Sequence, residues 1–423
     1  MEETLTNVQP KKKKLNFLPI LMCWIAYTSA YIGRFSYASN IISIEKLYGV
    51  LHADAGLVST FFFFAYGAGQ IINGLLCKRY NMRVMIPLAL IVSSILNCSV
   101  FFGIPFAYIK YVWLLNGIAQ SILWPSIIYV TARNLRTSYV KASILALGTT
   151  VSTGTFLSYG LSAVLSVFGA WRFSFLIAGV VMTTIAIVWF FSHNKLTDYS
   201  QGKVDNKQEK QEVATTGKML NEKSSNKGSL FTFILFFGVF AVFTNLIKDG
   251  LGTWMPKVMN KEFGLPEWVS ILSTLLLPLF GMFGTFFATY LRKRFKNFAI
   301  VLGILFFCAT IGMSVAIILY SPQLWYLVLI VLAFVTLFVN GTNSTLTSII
   351  PITYRDRFNS GLTAGLINAC CYVGSALSQF ALEGIAFQTG WTVVFYILLG
   401  LCVVPLLMAI GNFIFRKAKH IQD

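Results

Sequence analysis

Charge is scarce in this chain, and negative charge is scarcest. Only 11% of the 423 residues are charged, against about 25% in a soluble domain. Fifteen acidic residues stand against 33 basic ones, a formal net charge of +18. That balance excludes an ordinary soluble globular fold. Histidine is almost missing: His52, His193 and His420 are the three present, and all are expected in loops or tails. No imidazole is therefore expected inside an apolar segment to hold a metal or relay a proton. The seven cysteines form no C-x-x-C pair and lie in or beside apolar runs. A zinc or thioredoxin-type motif is excluded, which leaves small packing residues. No metal, no cofactor and no enzymatic activity are expected.

What is abundant is apolar sequence: 56% of residues are hydrophobic. Runs of roughly 20 such residues, each long enough to cross a bilayer as a helix, recur along the whole length. They are too long and too uniform for barrel strands, and inside lipid a spanning segment must satisfy its own backbone. The fold class expected is an all-α polytopic membrane protein. Twelve spans are predicted, at 16–40, 55–77, 83–105, 107–132, 140–168, 171–192, 230–256, 268–290, 297–320, 324–350, 358–387 and 391–415. The segment Lys11–Lys14 followed by an apolar run imitates a signal peptide, but it lacks a small-x-small cleavage site and reads as a retained first helix. Basic clusters (KKKK, KRYNMR, RNLRTSYVK, RKRFK, YRDR and RKAK) all fall on one side of the predicted layer. That side is expected to be cytoplasmic, with both termini on it. The positive charge thus reads as membrane topology, with a lipid bilayer and no nucleic acid as partner. Lys-, Asn- and Phe-rich usage suggests a bacterial cell membrane, and a monomer is expected.

The polar stretch His193–Gly228, rich in Lys, Gln, Asn and Ser, cannot bury enough apolar surface to fold alone. It divides the chain into a basic tail (1–15), six spans (16–192), a flexible cytoplasmic linker (193–229), six further spans (230–415) and a tail (416–423). The halves repeat. An offset of 214 brings Arg34 onto Lys248 and Gly67 onto Gly281; 224 brings Asn116-Gly117 onto Asn340-Gly341; 220 brings Gly154 onto Gly374 and Trp171 onto Trp391. An ordered series with small drifts points to duplication, two pseudo-symmetric six-helix bundles around a site near the midplane.

Within the first span, AYIGRFSYAS carries Arg34 where everything around it is apolar. An arginine at a helix centre costs roughly 2.5–3.5 kcal/mol by insertion scales. Snorkelling is the bland alternative and suits positions nearer a helix end. Arg34 is expected to face a water-filled cavity and hold an anion, with Lys248 of the seventh span opposite it and a dianion pairing both. A guanidinium grips phosphate through two parallel hydrogen bonds. Asp249 adjoins Lys248, and adjacent helix positions do not share a face. It is expected to point elsewhere, to pair with a neighbouring helix, or to neutralise Lys248 in part. Glu383 is the only other acid well inside a predicted span.

Three motifs resemble the organophosphate:phosphate antiporters of the major facilitator superfamily, over nearly all the transmembrane part. They are Tyr31-Ile32-Gly33-Arg34, then Asn116-Gly117-x-x-Gln120-x-x-x-Trp124-Pro125, and Lys248-x-Gly250-x-x-x-Trp254-x-Pro256. The resemblance implies the major facilitator fold, rocker-switch exchange of a small anionic substrate, and a phosphate-binding role for Arg34. The chain departs from the family in four places. Lys248 stands where many members have Arg. Thr149 stands where glycerol-phosphate carriers have His, which leans toward a hexose phosphate or another anion. Ser121 and Leu123 replace two glycines, so the fourth helix should pack differently. Lys78 replaces an acid in the loop after the second span. Tyr31, Gln120, Trp124, Tyr159, Asn340 and Tyr372 are candidates to bind the sugar or polyol part, each against the alternative of an ordinary interhelical contact. Two other functions remain open: a membrane sensor of hexose phosphate, and a proton-coupled symporter of another organic anion.

Overall fold

The computed structural model describes residues 18–50, 52–76, 79–134, 137–198, 227–354 and 360–418. Among these, every regular element is helical. The first predicted span is two helices, α1 (Leu18–Ser39) and α2 (Ile41–Tyr48). Asn40 separates them; its buried amide donates to Ser36 O at 2.8 Å, Ser162 Oγ at 3.0 Å and Ser174 Oγ at 2.8 Å. Next come α3 (His52–Leu76) and α4 (Met82–Phe101), the latter capped by Asn81, whose side chain accepts from the Arg83 N–H. The fourth span divides at Ile122 into α5 (Phe106–Ser121) and α6 (Leu123–Asn134). Ser121, which stands at that division, donates to Ile118 O and accepts from Asn73 at 2.8 Å. The half closes with α7 (Thr137–Val167) and α8 (Phe173–Asp198).

The second half opens with α9 (Lys227–Lys261), followed by α10 (Glu267–Ser273) and α11 (Leu276–Arg294). Then come α12 (Phe298–Ile318), capped by Asn297 as α4 is by Asn81, and α13 (Trp325–Ser344). A π-helical turn, Thr345–Ile349, and α14 (Ile350–Thr353) continue α13; α15 (Ser360–Thr389) and α16 (Trp391–Ala418) complete the chain.

Ten segments among the described residues are long and apolar enough to cross a membrane. The predicted spans 16–40 and 140–168 are present as α1 and α7 but are not among the ten, because both carry polar residues where the others carry aliphatic ones. Helix ends run past several predicted limits. α8 continues through His193 to Asp198, and α9 begins at Lys227, so both edges of the predicted linker are helical; 199–226 lie outside the described residues, as does Lys78. His52 and His193 stand in helices rather than loops.

Packing repeats between the halves. α1 lies on α7 as α9 lies on α15, α3 on α5 as α11 on α13, and α4 on α8 as α12 on α16. Two glycines at equivalent positions make the first of these contacts possible. A β-carbon on Gly154 would strike Tyr31 and the Thr28 carbonyl of α1; one on Gly374 would strike the Val242 carbonyl of α9. Between halves, α3 packs along α15, and α7 packs on α10 and α11.

Gly374→Ala should therefore force α9 and α15 apart, at about 1–3 kcal/mol for overpacking. Gly400, with open space around it, should accept alanine at no cost or gain up to about 1 kcal/mol from helix propensity. Melting temperatures of the two variants in detergent should diverge in those directions; equal values would contradict the close packing.

Candidate functional site

Arg34 is 4% exposed and lies on the inner face of α1. Two kinds of contact hold it. Its Nε donates to Gln120 Oε1 of α5 at 3.1 Å. Gln120 is itself fixed, its amide donating to Ser93 Oγ at 2.9 Å, Ala30 O at 3.2 Å and Asn116 Oδ1 at 3.3 Å, with Ser93 donating to Asn116 at 2.6 Å. The guanidinium then lies over three rings, with Cζ 4.1 Å from the Tyr31 centroid, 4.2 Å from Tyr66 and 5.0 Å from Phe62. Desolvated cation–π contacts reach about 2 kcal/mol, which offsets part of the burial cost. No carboxylate among the described residues is within ion-pair distance of Arg34, and its Nη2 is buried without a hydrogen-bond partner.

The aromatic wall continues outward. Tyr27 and Tyr66 share a hydroxyl–hydroxyl bond at 3.0 Å. The Tyr66 ring is 4.5 Å from that of Tyr372 in α15, and Tyr27 lies 4.8 Å from Trp124 in α6.

Lys248 is held differently. Its Nζ lies 3.3 Å from Asp249 Oδ1. The other oxygen of Asp249 accepts from Ser375 of α15, and the Asp249 carbonyl accepts from Gln379 at 3.3 Å. Adjacent positions point about 100° apart on a helix, but the lysine stem is long enough to fold back. Of the outcomes open in the sequence, Asp249 therefore takes two at once: it ties to the neighbouring helix and neutralises Lys248. Asn245, one turn earlier, donates to Asn343 Oδ1 at 3.1 Å.

A third buried cation escapes the sequence reading, which ends the seventh span at 256. α9 runs on to Lys261, and Lys257 is 2% exposed. Its ammonium donates to Glu45 of α2 at 2.7 Å and to Glu383 of α15. Glu45 and Lys257 are 212 residues apart, close to the offset relating Arg34 to Lys248; that match of opposite charges was the available signal. Around this triad the halves are sealed. Lys46 meets Glu267 at 2.8 Å, Ser43 bonds Glu267, Tyr159 donates to Gly252 O at 2.6 Å, and Thr60 donates to Ala376 O at 3.2 Å.

Of the candidates from sequence, Arg34, Tyr31 and Gln120 come together directly. Tyr372 joins through the Tyr66 ring, Trp124 lies against Tyr27, and Lys248 is placed by its pair with Asp249. Tyr159 is a fastener between α7 and α9. The Asn340 amide returns to Thr336 O at 3.0 Å and its side chain packs on Gly281 of α11, apart from the Arg34 cluster. Thr149 accepts from the Trp24 indole at 3.0 Å. Phe62, Tyr66, Tyr27 and Ser375 carried no signal, because they sit in ordinary apolar or small-residue runs.

Removing one member of a buried ion cluster leaves uncompensated charge, at about 3–5 kcal/mol. Lys257→Met should lower the melting temperature sharply. Adding Glu45→Gln and Glu383→Gln to it should recover most of the loss, and absence of that recovery would show that the three do not act as a unit.

Comparison with known proteins gives a consistent context. The profile of the Major Facilitator Superfamily matches residues 23–379. The membrane sensor protein UhpC of Salmonella typhimurium is 21% identical over 88% of this chain and 86% of its own. A probable hexose phosphate transport protein of Chlamydia pneumoniae is 21% identical over 94% of this chain and 91% of its own. Among solved structures, a bacterial homologue of the human lysosomal transporter Spinster, inward-facing and occupied, superposes with a TM-score of 0.69 at 15% identity, over 94% of this chain and 96% of its own.

Proposed function

The chain belongs to the major facilitator superfamily, and from that premise we propose that it exchanges an organic phosphate of the sugar-phosphate type for inorganic phosphate. One observation carries the reading. Arg34 is a buried guanidinium, oriented by Gln120, with an unpartnered Nη2 and no acid among the described residues beside it. A cation kept that way in low dielectric lacks an anion, and a second cation, Lys248, occupies the repeat-related position of the other half. The relatives named for hexose phosphate transport and sensing support the ligand class.

In this reading the basic loops are cytoplasmic, the two chain halves are the two rocking bodies, and the end sealed by Glu45, Lys257 and Glu383 faces outside. Transport then requires that seal to open and the halves to part on the opposite side in turn. Exchange is favoured over proton coupling because the acid beside the site, Asp249, is already paired with Lys248.

Arg34→Lys keeps the charge and loses the fork. Phosphate affinity of the purified protein should fall about ten- to a hundredfold, the equivalent of one charge-assisted contact of roughly 1.5–3 kcal/mol. Lys248→Arg should be tolerated far better. Arg34→Ala should abolish phosphate binding in protein that still inserts. Parent-like phosphate binding by Arg34→Ala would end the proposal.

A sensor shares the site but not the cycle, and a relative bears that name. Proteoliposomes preloaded with phosphate should take up labelled phosphate, empty ones should not, and a proton ionophore should have little effect. Uptake into empty vesicles driven by a pH gradient would point to symport. Binding without uptake in loaded vesicles would point to sensing.

A further inference from the structure

The two cations of the site are not equivalent, and the difference bears on the charge of the ligand. Arg34 is surrounded by rings and an amide. Lys248 shares its helix with a buried carboxylate 3.3 Å from its ammonium. Asp249 is pinned in that direction, since Ser375 of α15 holds its second oxygen. The contacts of the carboxylate are Lys248 on α9 and Ser375 on α15. None but Lys248 carries a formal charge at neutral pH. Counting Arg34, Lys248 and Asp249 together, the site holds one net positive charge rather than two.

We infer that Asp249 is a specificity-determining residue: by cancelling Lys248 it matches the site to a singly charged phosphate head group rather than to the dianion. The inference rests on the anion-site reading of Arg34 and deepens it. A structural tie between α9 and α15 alone does not need a carboxylate, because an amide or hydroxyl would bond Ser375 equally well and would leave Lys248 a full charge. The carboxylate instead costs desolvation, and what it changes is the field at the site. In a partly desolvated cavity, one unit of fixed charge near the ligand separates monoanion from dianion by about tenfold or more.

The test uses two tetrahedral sulfur oxyanions of nearly the same shape, sulfate (dianion) and methanesulfonate (monoanion), neither of which titrates near neutral pH. Each displaces labelled inorganic phosphate from the purified full-length protein. Asp249→Asn should shift the ratio of the two displacement constants about tenfold toward sulfate. Asp249→Ser, equally uncharged and shorter, should do the same and covers the case in which the amide mispacks. The double variant Lys248→Gln, Asp249→Asn restores one net positive charge and should return the ratio to that of the parent, which a purely structural role would not do. An unchanged ratio in both single variants, or a double variant that fails to revert, overturns the inference while leaving the anion site standing. Failure of phosphate to bind the parent at all would overturn the anion site itself, and the inference with it.

Discussion

A positive charge buried between helices must be compensated, and this protein does so in three ways at three points. Arg34 has π faces and a fixed amide oxygen. Lys248 has one carboxylate. Lys257 has two. Each arrangement leaves a different formal charge: plus one, zero and minus one. The cost of an ion in low dielectric makes these sums consequential. The first arrangement leaves a cation without an acid among the described residues, the second is balanced, and the third carries an excess of carboxylate.

The third site also constrains motion. Lys257 and Glu383 belong to the second half of the chain, and Glu45 to the first. If the halves part at this end, the Lys257–Glu383 pair can stay together and keep the ammonium satisfied, while Glu45, close to the helix end, passes into water. Separation then breaks two ion pairs, Lys257–Glu45 and the more exposed Lys46–Glu267, and strands no buried cation. Tyr159 to Gly252 and Thr60 to Ala376 are neutral bonds that water can replace. A seal of this composition is closed by several modest contacts, and no single one of them fixes it shut.

How much of this could be read from the sequence depends on the kind of signal. Long apolar runs predicted the helices well, because lipid leaves the backbone few choices. Arg34 and Gln120 were legible because polar groups in apolar runs stand out, and they proved to be bonded to each other. Lys257 was missed because hydropathy ends the span where the charge begins, while the helix continues. The pairing of Asp249 was only half anticipated, since helix geometry describes Cβ directions and a lysine stem bends around them. Repeat equivalence of Asn116 and Asn340 does not carry over to their surroundings. Asn116 accepts from Gln120, but the offset that relates the two asparagines puts Ser344 opposite Gln120, and Ser344 bonds Thr285 instead.

That last difference explains why the halves could diverge as they did. A guanidinium is planar and must be aimed, so the half with arginine keeps Gln120, Ser93 and Asn116 as a brace. An ammonium is a point charge that needs no aiming, so the half with lysine can do without the brace and spend its polar groups on helix packing. The same asymmetry bears on the proposed cycle. With the site empty, Arg34 is the cation without an acid, and closing the halves around it withdraws the water that would otherwise solvate Nη2. With an anion in place, closure strengthens the pairing instead. The loaded protein therefore crosses the closed state more readily than the empty one. In the proposed cycle that inequality favours exchange: each half-cycle needs a ligand to neutralise the same guanidinium, whichever side the ligand came from.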